Sequence, residues 1–208
     1  MRSIVVTSSL SLDGVMQAPA RADEDPRGGF EHGGWAVPYS DPVMAAEMGK
    51  AMAQAQGGSL LFGRRTYEDL YRVWPGRTDN PYTEVLDKAQ KYVASTTLAE
   101  PLPWANSTLL KGDAAEAVAR LKEQPGQDIG VLGSGQLIQS LMRRNLIDRY
   151  VLLIHPLVLG SGRRLFPDGS PYAALRLTGS VTTTTGVVIA TYQQAEPTAR
   201  KTTDAATQ

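Results

Sequence analysis

The sequence contains no cysteine. Disulfides, thiolate nucleophiles and cysteine-bound zinc are therefore excluded. Histidine is almost as scarce: His32 and His155 are the only two in 208 residues, too few for a multi-histidine metal centre. No metal site is expected. Neither sign of charge is in excess. Lys plus Arg and Asp plus Glu each number 21. The basic surplus of a general nucleic-acid or anionic-membrane binder is thus missing, and neither partner is expected. No apolar run approaches the roughly 18 residues of a membrane helix. Met1-Arg2-Ser3-Ile4-Val5-Val6 enters a strand-like pattern directly, without the long apolar segment of a signal peptide, so a cytoplasmic protein is expected. No Gly-Lys-Ser/Thr of a Walker loop occurs, and no Ser/His/Asp arrangement or serine elbow favours a hydrolase.

What is there centres on Ile129-Gly130-Val131-Leu132-Gly133-Ser134-Gly135-Gln136-Leu137. It begins apolar and β-branched, as a short buried strand does. It passes through two glycines around a serine. From Leu137 the apolar positions fall at Leu137, Ile138, Leu141 and Met142, the rhythm of a helix face. The reading is strand, tight turn, helix. The first amides of a helix lack internal partners, and the helix dipole adds positive potential there. Such a turn can seat a phosphate, or it can be only a turn.

A second junction of this kind is Ser59-Leu60-Leu61-Phe62 followed by Gly63-Arg64-Arg65-Thr66-Tyr67-Glu68. Two arginines at a helix start oppose the dipole unless an anion arrives, which favours an anion site. A third strand, Lys91 to Ala94, ends in Ser95-Thr96-Thr97, three hydroxyls that can meet phosphate or cap a turn.

The remaining elements follow from punctuation and period. Residues 3–8 read as a first strand, and Asp13-Gly14 marks a turn. Residues 17–40 form a long Gly- and Pro-rich loop holding His32, Trp35 and Tyr39. Trp35 either lids a flat ligand or anchors the loop to the core. Ser40 or Asp41 caps a helix begun by Pro42 and ended at Gly57-Gly58. Its Met44, Met48 and Met52 stripe suits core or subunit contact better than a cofactor site. Short helices are expected over Tyr82 to Ala89 and from Asp113, where Glu116 completes a capping-box pattern. Strands are expected over Ser107 to Leu110 and Arg149 to Ile154, and Pro156 stops the latter. His155 reads as a structural histidine, with proton donation as the alternative. Gly160 to Gly162 implies close backbone approach. Ala173 to Thr183 and Val187 to Gln194 form a hairpin. Residues 1–196 make one domain, and the polar tail 197–208 is expected to be disordered.

Strands alternating with helices predict an α/β fold with a largely parallel central sheet flanked by helices, and a C-terminal antiparallel hairpin. The Gly63, Ser95 and Gly133 turns then share the carboxyl edge where ligands sit. Three such turns suit a ligand with several phosphates, such as a dinucleotide. The usual dinucleotide fingerprint is not met, because Gly133-Ser134-Gly135 lacks the third glycine.

Taken in order, several segments are familiar: Ser11-Leu12-Asp13-Gly14, Gly63 to Glu68, Ser95-Thr96, Val131 to Gly135, Leu146-Ile147-Asp148 and Pro156 to Phe166. Across residues 3–194 the chain resembles the dihydrofolate reductase-like superfamily. Within it, the likeness is to stand-alone relatives of the C-terminal reductase domain of the bifunctional riboflavin-biosynthesis deaminase-reductase. The resemblance implies a three-layer fold, NADPH as cofactor, and hydride transfer to a small planar heterocycle of pterin or aminopyrimidine type, or to a carbonyl or imine compound. It implies that Gly63, Arg64, Arg65 and Thr66 bind phosphates, with Arg64 near the 2′-phosphate. Ser95 and Thr96 would flank the adenosine end. Leu132, Gly133, Ser134, Gly135 and Gln136 would hold the pyrophosphate, and Leu12 to Val15 would border the nicotinamide. Asp13 is the candidate for a proton or substrate contact, against an ordinary Asp-Gly turn. Val15, Trp35 and Tyr39 are the substrate candidates. A homodimer, common in this branch, is expected through the Met stripe or the hairpin. Folate reductases place an acid on the first helix; here that helix offers only Glu47, and folate reduction is not expected. The deaminase half needs zinc-binding cysteines, so a reductase-only protein is implied. The alternatives are a nucleotide-binding sensor without turnover and a flavin-binding or flavin-reducing protein.

Overall fold

The computed structural model describes residues 1–54, 57–80 and 82–195. The tail 197–208, expected to be disordered, lies outside the described residues.

Eight strands form one sheet. In chain order they are β1 (Ile4–Ser11), β2 (Ser59–Gly63), β3 (Gln90–Ala94), β4 (Ser107–Leu110), β5 (Ile129–Leu132), β6 (Arg149–His155), β7 (Leu175–Thr182) and β8 (Val188–Gln194). The spatial order is β4-β3-β2-β5-β1-β6-β8-β7. The first six are mutually parallel, β8 runs antiparallel to β6, and β7 antiparallel to β8. The largely parallel sheet and the antiparallel hairpin are therefore as expected. β1 is longer than residues 3–8, because it pairs with β6 from Val5 through Ser11. A polar Ser8-Ser9 in mid-strand concealed this.

Five α-helices cover the sheet among the described residues: α1 (Pro42–Gln54), α2 (Arg64–Val73), α3 (Tyr82–Lys88), α4 (Ala114–Glu123) and α5 (Gly135–Arg143). Side chains alternate across a strand, so the register sorts the layers. Leu61, Val131, Val6 and Tyr150 stand on one face, where Val118 and Leu121 of α4 and Ile138 and Leu141 of α5 pack on them. Phe62, Val93 and Leu153 stand on the other. Tyr67 of α2 and Leu86 of α3 cover the first two, and Met44 and Met48 of α1 cover the third. The result is three layers. The sequence left core or subunit contact open for the Met stripe. Met44 and Met48 pack on the core and are partly buried; the side chain of Met52 lies outside the described set. Edge strand β7, in the hairpin of the dimer expectation, is mostly solvent-exposed.

Caps set the helix starts. Asp41 Oδ1 accepts the Met44 amide at 2.7 Å, and Asp113 Oδ1 accepts that of Glu116 at 2.9 Å. The close approach expected at Gly160 to Gly162 is made at Gly162. Its φ is +111°, and a Cβ there would lie 2.7 Å from both Phe30 and Val15.

Candidate functional site

Beyond the carboxyl ends of the parallel strands lies a cleft of about 1210 Å³. Gly63, Arg64, Arg65 and Thr66 line it from the β2–α2 junction, Ser95 and Thr96 from the end of β3, and Leu132, Gly133, Ser134, Gly135 and Gln136 from the β5–α5 junction. The fold thus gathers every residue expected at the phosphates and the adenosine end, whereas none of Leu12 to Val15, expected at the nicotinamide, lines the cleft. β5 lies beside β2, so the two helix starts are neighbours.

The two junctions are tied to each other. The Ser134 hydroxyl accepts the Gly63 amide at 3.0 Å, and Thr66 Oγ1 accepts the Ser134 amide at 3.1 Å. Ser134 has φ +57°, a left-handed conformation unusual for a residue with a Cβ. The Thr66 bond holds it there. Gly133, with φ +54°, precedes it; a Cβ at Gly133 would stand 3.1 Å from the Thr66 methyl. Among the described residues the Gly135 and Gln136 amides have no acceptor. They point from a helix start whose dipole favours an anion. Arg64 stands at the start of α2 and meets Glu68 only loosely, at 3.5 Å, with both side chains well exposed. Arg65 has no ion pair among the described residues. Ser95 Oγ accepts the amides of Thr97 and Leu98 at 3.1 and 3.0 Å, so it caps a turn as well as lining the cleft.

The four catalytic and substrate candidates do not line the cleft. Asp13 is a bracket. Its Oδ1 accepts the Ser11 hydroxyl at 2.6 Å and the Leu159 amide at 3.1 Å, while Oδ2 accepts the Gly160 amide at 3.0 Å. The Ser11 bond leads in holding its pKa below the ordinary carboxylate value. An acid so engaged, and so reluctant to hold a proton, is the structural Asp-Gly turn rather than a proton donor. Val15 is fully buried with Phe30 and Trp35. Trp35 anchors the loop: it is buried, and its Nε1 donates to the Gln17 carbonyl at 2.7 Å. Trp35 and Tyr39 meet His155 edge-on, at 5.1 and 5.7 Å between ring centres. Burial lowers the pKa of His155, and its Nδ1 meets the Leu153 carbonyl at 2.9 Å. It is a neutral structural histidine.

Of the opposite wall, the sequence singled out the long loop but not the residues that line the cleft. This wall is the start of the long loop, with Met16, Gln17, Glu24, Asp25 and Arg27, joined by Arg163. Gln17 organises it: Nε2 donates to the Asp25 and Arg27 carbonyls, both at 2.9 Å, and Oε1 accepts the Arg163 amide at 3.0 Å. Arg21 reaches α2 and meets Asp69 at 2.6 Å. A lone glutamine in a loop carries no periodic signal, and only the three-dimensional contacts reveal it. Glu47 of α1 pairs with Lys50 and does not line the cleft. No group of three metal-ligating side chains is gathered among the described residues. No helix among them is long and apolar enough to cross a membrane.

This sheet order, with paired helix starts at its carboxyl edge, defines a dihydrofolate reductase-like α/β protein. Solved structures share the fold. A protein provisionally assigned to riboflavin biosynthesis in Shewanella sp. PV-4 superposes with TM-score 0.70 at 22% identity, covering 93% of this chain and 99% of that one. A pyrimidine reductase-like protein from Corynebacterium diphtheriae gives 0.63 at 12% identity, covering 94% and 92%. The chain matches the RibD C-terminal domain family over residues 2–189, and it belongs to that reductase-like family. Among relatives in Bacillus subtilis (strain 168), the uncharacterized protein YyaP is 32% identical over 155 residues, 72% of this chain and 81% of that protein. The uncharacterized protein YwjB is 29% identical over 127 residues, 57% and 73% of the two chains.

Proposed function

We propose that this protein is an NADPH-dependent reductase of a small planar heterocycle, of pterin or aminopyrimidine type, or of a carbonyl or imine compound. The observation that carries this is the pair of helix starts latched together by Thr66 and Ser134 at one cleft, in a chain of a reductase-like family. The donor set fits a dinucleotide. Two helix N-termini side by side offer unpaired amides, and Arg64 and Arg65 supply positive charge where the dipole alone would repel it. Gly63 to Thr66 and Gly133 to Gln136 would hold its phosphates, with Arg64 toward the 2′-phosphate and Ser95 and Thr96 toward the adenosine end. When bound, a reduced nicotinamide supplies a hydride. The chain's own part is to fix two ligands in one cleft and to keep water from between them.

Calorimetric titration with NADPH, NADH and FMN tests the reading. NADPH is expected to bind. Arg64→Ala should weaken it about tenfold or more while leaving NADH unaffected, since a charge-assisted hydrogen bond contributes roughly 1.5–3 kcal/mol. Equal affinity of the variant for both cofactors, with NADPH binding unchanged, removes Arg64 from the assignment. If NADPH does not bind, the reductase reading falls; if FMN binds in its place, the flavin alternative takes over.

A further inference from the structure

A reductase adds a proton as well as a hydride, and with Asp13 bonded away the proton needs another source. Four carboxylic acids line the cleft: Glu24, Asp25, Asp69 and Asp168. Asp25 carries Arg27 in a two-bonded pair. Asp69 accepts from Arg21 at 2.6 Å and from Arg72 at 2.7 Å. Asp168 is exposed to water. Glu24 differs from all three. It forms no ion pair among the described residues. Its Oε2 accepts the Ala20 amide at 2.8 Å and the Arg21 amide at 3.3 Å, and its Oε1 has no hydrogen-bond partner there. Burial raises its pKa. Asp69, facing it from α2, adds to the rise; the two amide bonds and Arg21, in its own loop, oppose it. With Oε2 committed to accepting two N–H groups, a proton on this carboxyl resides on Oε1.

We propose that Glu24 is the proton carrier of the cleft, delivering its Oε1 proton to the nitrogen or oxygen of a substrate C=N or C=O bond. The proposal rests on the reductase reading above. In the balanced step the substrate carbon gains a hydride from the reduced nicotinamide, which is thereby oxidised. The Glu24 O–H bond breaks as the substrate N–H or O–H bond forms. Solvent then returns a proton to the carboxylate through the open cleft. The matching substrate presents a polar acceptor atom to Glu24 and its reducible carbon to the nicotinamide.

Two measurements on the full chain decide it. In protein labelled with ¹³C at glutamate carboxyls, Glu24→Gln deletes one NMR resonance and so identifies it. The variant is isosteric, and its amide oxygen still accepts from Ala20 and Arg21. The expected result is a Glu24 carboxyl that titrates above the ordinary glutamate range; titration within or below that range overturns the proposal. The second is NADPH oxidation with pterins, aminopyrimidines and imines as acceptors. Wild-type kcat should fall about tenfold per pH unit above the Glu24 midpoint, while Glu24→Gln should lose about 100-fold in kcat and flatten the profile, with KM little changed. Unchanged kcat in Glu24→Gln overturns the transfer step. Failure of NADPH to bind defeats the reductase reading and the transfer step with it, whereas the NMR titration continues to decide whether Glu24 holds the proton.

Discussion

Thr66→Val tests whether the latch between the two helix starts organises the cleft. Valine keeps the shape and deletes one oxygen. The Ser134 amide then loses the acceptor at 3.1 Å, in a partly buried position. An amide stripped of its partner costs about 1–3 kcal/mol. The left-handed Ser134, with φ +57°, also loses the bond that fixes it, and relaxation of that strain of roughly 1–2 kcal/mol would move the Gly135 and Gln136 amides. In a domain of this size each kcal/mol shifts Tm by about 2–4 °C, so a fall of about 2–12 °C is expected. NADPH affinity should drop with it by roughly tenfold, the equivalent of 1.4 kcal/mol of lost preorganisation. Thr96→Val is the control. It removes a hydroxyl from the same cleft but has no bond across the junctions, and it should leave Tm unchanged. Differential scanning calorimetry and isothermal titration read the two effects separately. A Thr66→Val protein as stable as Thr96→Val, and binding NADPH as tightly, would refute the latch.

Lys91 is fully buried beneath Trp104, with Nζ bonded to the carbonyls of Ala89, Ala105 and Asp87 at 2.8, 2.9 and 3.3 Å. Lys91→Met orphans these acceptors and should cost about 2–4 kcal/mol at pH 7 in urea denaturation. Burial brings the Lys91 pKa down to about 8; the unfolded chain, near 10.4, therefore holds the proton longer, and wild-type stability should rise by about 2 kcal/mol relative to the variant between pH 8 and 10. Parallel pH profiles for the two proteins would contradict this. Gly162→Ala forces a Cβ to within 2.7 Å of Phe30 and Val15 at φ +111° and should destabilise by about 2–5 kcal/mol. Gly160→Ala, with φ +72° but open space around it, should cost only about 1 kcal/mol by thermal denaturation, and equal effects would deny the packing argument.

The cofactor-facing half of the cleft was legible because it is made of local signals. A β-branched run, a Gly turn and a 3.6-residue rhythm are written within a dozen residues, and parallel pairing then brings such junctions to one edge. The Gly63 and Gly133 turns needed no long-range information to be found. Their mutual latch did, since Thr66 and Ser134 meet only once β2 and β5 are neighbours. The other half stayed open for the same reason. Asp13, Trp35 and Tyr39 have the right chemistry for a site. Burial and hydrogen bonding decide their roles, however, and both are set by the distant segment His155 to Arg164. Asp13 holds the Leu159 and Gly160 amides, and Trp35 packs on His155. Glu24 carries no local signal, and only the fold places it in the cleft.

The two walls therefore differ in what holds them. Strand ends and helix starts build one, and moving its groups would mean breaking the sheet. The other is a loop kept in place by discrete side-chain bonds: Gln17 to the Asp25 and Arg27 carbonyls, Arg21 to Asp69, and Glu24 to its own turn. Substitutions in residues 17–27 can reshape that wall without disturbing the Thr66–Ser134 latch, because no bond of the latch passes through the loop. On the proposed function, the loop is where substrate choice resides and the sheet edge is where cofactor choice resides. The separation has a thermodynamic consequence. Arg64→Ala and Glu24→Gln share no partner, so their effects should add in a double variant. A large coupling between them would mean that the loop and the β2–α2 junction move as one body and that the two choices are not independent.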